Sequence, residues 1–291
     1  MLQWKKQIRD DGRAGTMNTA EPQPTVSVVI PAWNAEATLG LLLDTVRGQT
    51  WKALEIIVVD DGSKDRTAAI AEEAAKEDSR IRVIRQECRG VSAARNAGLA
   101  QCTGKYIRFA DADDTVPPDS MEKMVARAEA DGSELVIGGY TQYIGEIRNI
   151  RNLANRDDVA ACDDMMKHLC SHANSYFYGV LWNKLFLREI IEREQVRFVN
   201  AFTWGEDFAF VMDYLRYVNH VSFMKDLVYD YRRSAGSTSV KQGFDSVKHP
   251  IPNLKTKIAL YGHLKDLYKA RGQYKKYSNR LWMYLYRVGW W

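Results

Sequence analysis

Four short apolar runs punctuate the first part of the chain: Val26 to Ile30, Ile56 to Val59, Ile81 to Ile84 and Tyr106 to Phe109. Each is rich in β-branched or aromatic residues and bounded by turn formers, the pattern of strands buried on both faces. Between them the apolar period lengthens to that of a helix. Glu36 to Arg47 carries Leu39, Leu42, Leu43 and Val46 on one stripe. Thr67 to Lys76 follows, with Ser63 or Asp65 placed to cap its start, and Val91 to Cys102 is a third helix that Gly104 is expected to stop. Strands alternating with helices imply right-handed crossovers, so an α/β fold with a mainly parallel sheet flanked by helices is expected. Its carboxyl-end loops would share one crevice, the usual ligand site of such sheets.

Pro117-Pro118-Asp119 closes a loop, Ser120 to Ala130 reads as a helix and Leu135 to Tyr140 as a strand. Thr141 to Asp163 is polar and poorly patterned, an acceptor-side loop or a spacer. A helix around Met165 comes next, then the segments Trp182-Asn183-Lys184-Leu185 and Thr203-Trp204-Gly205-Glu206-Asp207-Phe208. Phe208 to Tyr217 reads as a helix, and a strand pair is expected near Val221 and Val228. The organisation predicted is a polar leader over 1–24, a globular domain over 25–240 in two halves, 25–116 and 117–240, and a C-terminal helical extension over 241–291.

A chain of 291 residues has room for one large domain with such an appendage. Hydrophobic content of 46% and charged content of 27% exclude a disordered or fibrous class. No apolar run approaches the roughly 18 residues that a membrane span needs. Met1-Leu2-Gln3-Trp4-Lys5-Lys6 lacks the apolar stretch of a secretory signal, so a cytoplasmic protein is expected. Cys88, Cys102, Cys162 and Cys170 have no paired spacing and read as reduced thiols. Cys162, His168, Cys170 and His172 are conceivable zinc ligands, yet Cys162, Met165, Met166, Leu169 and Cys170 fall on one apolar helical face, the favoured reading.

The net charge of +4 hides an asymmetry. From Ile251 to Trp291 nine Lys or Arg face one acid, interleaved with Tyr261, Tyr268, Tyr274, Tyr277, Trp282, Tyr284 and other aromatics. That tail suits either peripheral contact with an anionic membrane or helices packing their aromatics onto the domain; nucleic acid is not expected. At the other extreme, Asp60-Asp61-Gly62-Ser63 and Asp111-Ala112-Asp113-Asp114 each follow a predicted strand. Five carboxylates at one sheet edge repel one another unless a cation or a ligand engages them, which points to a metal-assisted site for a phosphorylated substrate.

Five pieces stand in order: Val28-Val29-Ile30-Pro31-Ala32-Trp33-Asn34-Ala35-Glu36, Val58-Val59-Asp60-Asp61-Gly62-Ser63, Ala94-Arg95-Asn96-Ala97-Gly98, Asp111-Ala112-Asp113-Asp114 and Gly205-Glu206-Asp207. Together they resemble a family 2 glycosyltransferase of GT-A fold and bacterial polysaccharide type, over roughly Val26 to Ser239. The resemblance implies an inverting hexosyltransferase. It would move a sugar from a UDP-sugar to a hydroxyl of a saccharide or lipid-linked saccharide, with Mn2+ or Mg2+, the nucleotide held by 25–116 and the acceptor by 117–240.

The resemblance also implies roles. Pro31, Ala32 and Trp33 would hold the planar base, Trp33 standing where the family most often has Tyr; the bland alternative is a ring packed under the first helix. Glu36 would reach the base or ribose, or simply favour the helix dipole. Asp61 would accept from the uracil imide while Asp60 supports its loop, and Arg95 would lie near the nucleotide or pair with one of the aspartates. Asp111 is expected on the nucleotide, Asp113 on the metal, and Asp114 on a second ligand contact or a cap. Glu206 and Asp207 would supply the base, Asp207 being favoured, unless they only cap a helix. Trp182 would stack on a sugar or sit in the core, and Trp204 would face the acceptor. Arg232 and Ser237 belong to a stretch, Tyr231 to Ser237, that resembles a lid over the diphosphate or is a solvated basic turn. Two rivals remain at this point: a sugar nucleotidyltransferase, which would carry a Gly-rich basic loop where Pro31-Ala32-Trp33-Asn34 stands, and a non-catalytic sugar-nucleotide or glycan-binding protein, which would not need Asp61, Asp113 and Asp207 together.

Overall fold

Strand β1 (Val26–Ala32) is central and wholly buried, with β2 (Leu54–Asp61) parallel on one side and β4 (Tyr106–Phe109) parallel on the other. The computed structural model describes residues 23–152, 156–172, 175–202, 204–233 and 250–286. β3 (Ile81–Gln86) extends the sheet beyond β2, so the chain winds outward from β1 and then returns across it to β4. Helices α1 (Leu39–Arg47), α2 (Thr67–Glu77) and α3 (Val91–Leu99) make the crossovers. Gly98 lets α3 press onto the sheet, since a Cβ there would meet Val29 at 2.5 Å. The reversal of winding beside β1 opens the crevice at the carboxyl edge.

After α4 (Ser120–Asp131), β5 (Leu135–Ile144) is separated from β4 by the antiparallel β8 (Lys184–Leu187). β9 (His220–Arg233) lies parallel to β5, and β7 (Val159–Ala161) edges the sheet. Helices α5 (Cys162–His172), α6 (Tyr176–Gly179), α7 (Arg188–Arg193) and α8 (Glu206–Leu215) complete this half. Six of the nine described strands run the same way, the mainly parallel sheet expected.

Several boundaries differ from the sequence reading, each for a physical reason. Glu36 stands in a turn ahead of α1, because its carboxylate accepts the Arg66 N–H at the start of α2. Asp65, the expected cap, accepts the Thr67 N–H. Gly104 does not stop α3, which ends at Leu99; it sits under the sheet edge, donating its N–H to Ser27 Oγ at 3.0 Å. The polar stretch from Thr141 is in large part a hairpin of β5 with β6 (Ile147–Arg151), masked in sequence because Ile144, Ile147 and Ile150 are exposed. The strand pair near Val221 and Val228 is a single strand, interrupted by a bulge between Phe223 and Leu227.

On α5, Cys162, Met165, Met166, Leu169 and Cys170 are all buried, and the Cys162 thiol faces the Leu215 carbonyl. They meet the C-terminal helices α9 (Pro250–Ala270), α10 (Tyr274–Leu281) and α11 (Met283–Tyr286). Leu260, Leu264, Leu267, Tyr268, Tyr277 and Tyr284 are buried there, Tyr268 donating to the Met166 carbonyl and Arg271 pairing with Asp163. Packing therefore takes the inner aromatics of the tail. No described helix is long and apolar enough to cross a membrane.

Candidate active site

The loops after β1 and β2 fasten each other. Asn34, at φ 48°, donates its N–H to Ser63 Oγ and accepts from the Lys64 N–H, both at 2.9 Å. Pro31 and Ala32 remain inside the strand, whereas the Trp33 ring is 58% exposed at its end and is not packed under α1. A large flat ring exposed at the carboxyl end of β1 offers a stacking face. Asp60 accepts the Ser63 N–H, the supporting role expected of it. Asp61 is buried: Oδ1 accepts from Gln86 and the Arg89 N–H, and Oδ2 from the Gly90 N–H, at 2.7 to 2.8 Å. Oδ2 also faces the Cys88 thiol at 3.9 Å, a weak donor that a stronger one can displace.

Arg95, on α3 and 3% exposed, joins the two acidic motifs. Its Nη1 donates to Glu206 Oε1 at 2.9 Å and Asp207 Oδ1 at 2.6 Å, and its Nη2 to Asp111 Oδ1 at 3.0 Å. Burial opposes the charge, yet Asp207, Asp111 and Glu206 outweigh it and raise the guanidinium pKa. For Asp207 burial prevails over Arg95, and with Glu206 and Asp111 nearby its carboxyl lies well above the ordinary range. Asp207 is thus an anchored carboxylate with enhanced proton affinity. Gly205 caps its helix at a φ of 75°, which strains any other residue, and a Cβ built there would lie 2.4 Å from the Leu260 side chain. Trp204 donates to Asn253 of α9 at 2.9 Å, so it braces α8 against the C-terminal helices.

The turn after β4 is held by β9. Tyr229 takes the Asp111 N–H on its hydroxyl at 2.9 Å, Thr115 and Asp230 exchange backbone hydrogen bonds, and the Arg232 N–H meets Asp114 Oδ1 at 2.7 Å. Burial and Asp111 push the Asp113 carboxyl up to about 6. Asp114 Oδ2 is buried without a hydrogen-bond partner. These oxygen-only donors fit a hard cation, although no group of three or more ligating side chains occurs among the described residues, so phosphate oxygens and water would have to complete its shell. Trp182 is 2% exposed and stacks on Tyr229 at 4.7 Å and Tyr231 at 5.5 Å, which makes it the core ring of the two alternatives and takes it away from any sugar. The Arg232 guanidinium lies over Tyr143 and beside Thr115, while Ser237 falls outside the described residues. Tyr229, Arg89 and Gly90 shape the site without any signal in the sequence; a strand tyrosine and a turn glycine look the same anywhere.

This chain matches the model of glycosyl transferase family 2 over residues 27–193. The chain belongs to that family. It is 32% identical over 246 residues to the glycosyltransferase EpsJ of Bacillus subtilis, covering 82% of this chain and 70% of EpsJ. The glycosyltransferase EpsH of Bacillus subtilis is 34% identical over 213 residues, covering 72% of this chain and 61% of EpsH. A cholesterol galactosyltransferase of Borreliella burgdorferi is 32% identical over 262 residues, covering 87% of this chain and 70% of that protein. Among solved structures, S. aureus TarS 1–349 in complex with UDP superposes with a TM-score of 0.65 at 17% identity, covering 89% of this chain and 91% of that one. The GT-A fold expected from the sequence is the fold these chains share. Family membership also removes the nucleotidyltransferase rival.

Asp113 carries a proton in the folded state, near pH 4 to 6, that the unfolded chain has released, so its contribution to stability falls as pH rises through that window. Asp113→Asn should therefore stabilise the metal-free protein at pH 7.5 by about 1–2 kcal/mol and leave it unchanged near pH 4. Urea denaturation at the two pH values checks this; a variant less stable than the parent at pH 7.5 contradicts it.

Proposed function

We propose that this family 2 glycosyltransferase is an inverting enzyme that transfers a sugar from a UDP-sugar to a hydroxyl of a saccharide or lipid-linked saccharide in bacterial surface glycan synthesis. The observation that carries the reading is the Arg95 bridge, which fixes Asp207 across the crevice from the acidic turn. Trp33 offers the uracil its exposed face, and Asp61 Oδ2 accepts the imide N–H in place of the weak Cys88 thiol, rejecting a base that lacks that donor. The bound UDP of the TarS complex supports this choice of nucleotide.

Mn2+ or Mg2+ held by Asp113, with Asp114 beside it, would offset the charge of the departing diphosphate. Asp207 does the rest of the chemistry. One of its oxygens is committed to Arg95, and the other accepts the acceptor hydroxyl proton as that oxygen attacks the anomeric carbon from the face opposite UDP. The carbon–oxygen bond to the diphosphate breaks as the new one forms, so configuration inverts. Glu206 shares Arg95 and orients the pair. Metal-dependent UDP release from a panel of UDP-sugars with saccharide acceptors tests the assignment. Asp207→Asn should lose roughly 10²–10⁴-fold in kcat while keeping UDP binding; full activity of that variant, or no uridine nucleotide binding by the parent, refutes the reading.

We further propose a cytoplasmic protein resting peripherally on the inner face of the membrane. Tyr268, Tyr277 and Tyr284 of α9 to α11 face inward, while Leu254, Ile258, Lys265 and Lys269 follow one helical stripe of α9, with Leu254 and Ile258 both 53% exposed. Aliphatic side chains with flanking lysines suit an anionic bilayer. Sedimentation with phosphatidylglycerol vesicles should fall at least about tenfold in Leu254→Ser/Ile258→Ser and in high salt. Equal sedimentation of parent and variant, or none by either, defeats this proposal.

A further inference from the structure

Lys184 at the start of β8 is fully buried, and no carboxylate is within ion-pair distance among the described residues. Its Nζ has three hydrogen-bond partners: the Phe177 carbonyl at 2.9 Å, the Val180 carbonyl at 2.6 Å and Asn183 Oδ1 at 2.9 Å. The orientation of the Asn183 amide is fixed, because its Nδ2 donates to the Gly138 and Phe177 carbonyls. All three partners are therefore acceptors. A neutral amine has two N–H groups and a lone pair, which would point at one of those oxygens; only an ammonium has three donors to satisfy three acceptors. Although burial draws the lysine pKa well down, Asp207 acts in the opposite direction.

A buried ammonium costs several kcal/mol, and an apolar side chain of the same length would fill this space without that penalty. Phe177 lies in α6 and Val180 directly follows it; α6 packs on α8, the helix that opens with Glu206 and Asp207. Around Asp207 stand Arg95 from α3, Glu206 from α8 itself and Asp111 from the turn after β4, so the carboxylates outnumber the one paired cation. Lys184 is a second cation in electrostatic reach of Asp207.

We infer that Lys184 is a positioning residue: its buried ammonium, caged by α6 and Asn183, holds Asp207 in the ionised form that can accept a proton. The functional consequence rests on the reading of Asp207 as base, whereas the placement of the charge does not. Lys184 touches neither donor nor acceptor and acts through Asp207.

The test follows the Asp207 side-chain carboxyl carbon by NMR across a pH titration of the full chain, its resonance identified by loss in Asp207→Asn. In Lys184→Met the Asp207 midpoint should rise by about one pH unit, a tenfold gain in proton affinity, and the acidic limb of kcat should move with it. Lys184→Arg, which keeps the charge, should restore the parent midpoint. Lys184→Gln, which keeps polarity without charge, provides the neutral comparison if the methionine variant does not fold. An unchanged midpoint in a folded neutral variant overturns the inference, as does an arginine variant that behaves like the neutral ones. Because the titration needs no turnover, a chain that transfers no sugar would refute the proposed function and still decide the role of Lys184.

Discussion

One buried guanidinium makes the acidic edge of the sheet possible. Asp111, Glu206 and Asp207 come from segments far apart in sequence, and each is a charge that water would solvate better than protein does. Arg95 meets all three with a planar fork, from a helix that Gly98 allows to lie hard against β1 and β2. The sheet brings the acidic turn and α8 to the same edge; Arg95 fixes their separation. A lysine would offer a point charge with no fork, and could not span the three carboxylates in one plane.

The C-terminal helices contribute to that geometry from behind. α8 begins at a left-handed glycine closed off by Leu260, and Trp204 just before it is tied to Asn253. The same stretch of sequence serves two surfaces: Tyr268, Tyr277 and Tyr284 enter the core, while most of its lysines stay outside. A charge count sees only the outer half of this arrangement. Beneath the sheet edge, Tyr229 supports Asp111 from β9 and lies in the ring stack with Trp182. The acidic turn therefore rests on a rigid aromatic floor, which suits a site whose carboxylates must keep their spacing before any ligand arrives.

The N-terminal half of the fold was legible because β1, β2 and β4 are buried on both faces and its helices carry clean apolar stripes. β6 was not legible: a hairpin with exposed isoleucines on a polar background has no alternation to read. β9 looked like two strands because its bulge brings Lys225 and Asp226 into an apolar run. In the site, carboxylates placed after strands pointed to Asp111 and Asp113, while Glu206 and Asp207 were reached only through the resemblance to the family. Which partner each would take was not readable. Asp61 turns out to hold the Arg89–Gly90 turn, Glu36 caps α2, and Trp182 is a core ring, all decided by contacts between residues tens of positions apart. Lys184 escaped notice for a related reason: a lysine in an apolar run looks like a surface position until its burial is known.

The dependence of the site on the Arg95 bridge is most directly measured by a double-mutant cycle in urea at pH 7.5 with Arg95→Met, Asp207→Asn and the two combined. Arg95→Met alone should cost about 3–5 kcal/mol by stranding buried carboxylates, and adding Asp207→Asn should recover at least about 1 kcal/mol of that loss. Losses that simply add, within about 0.5 kcal/mol, would show that Arg95 and Asp207 do not depend on each other and would contradict the account.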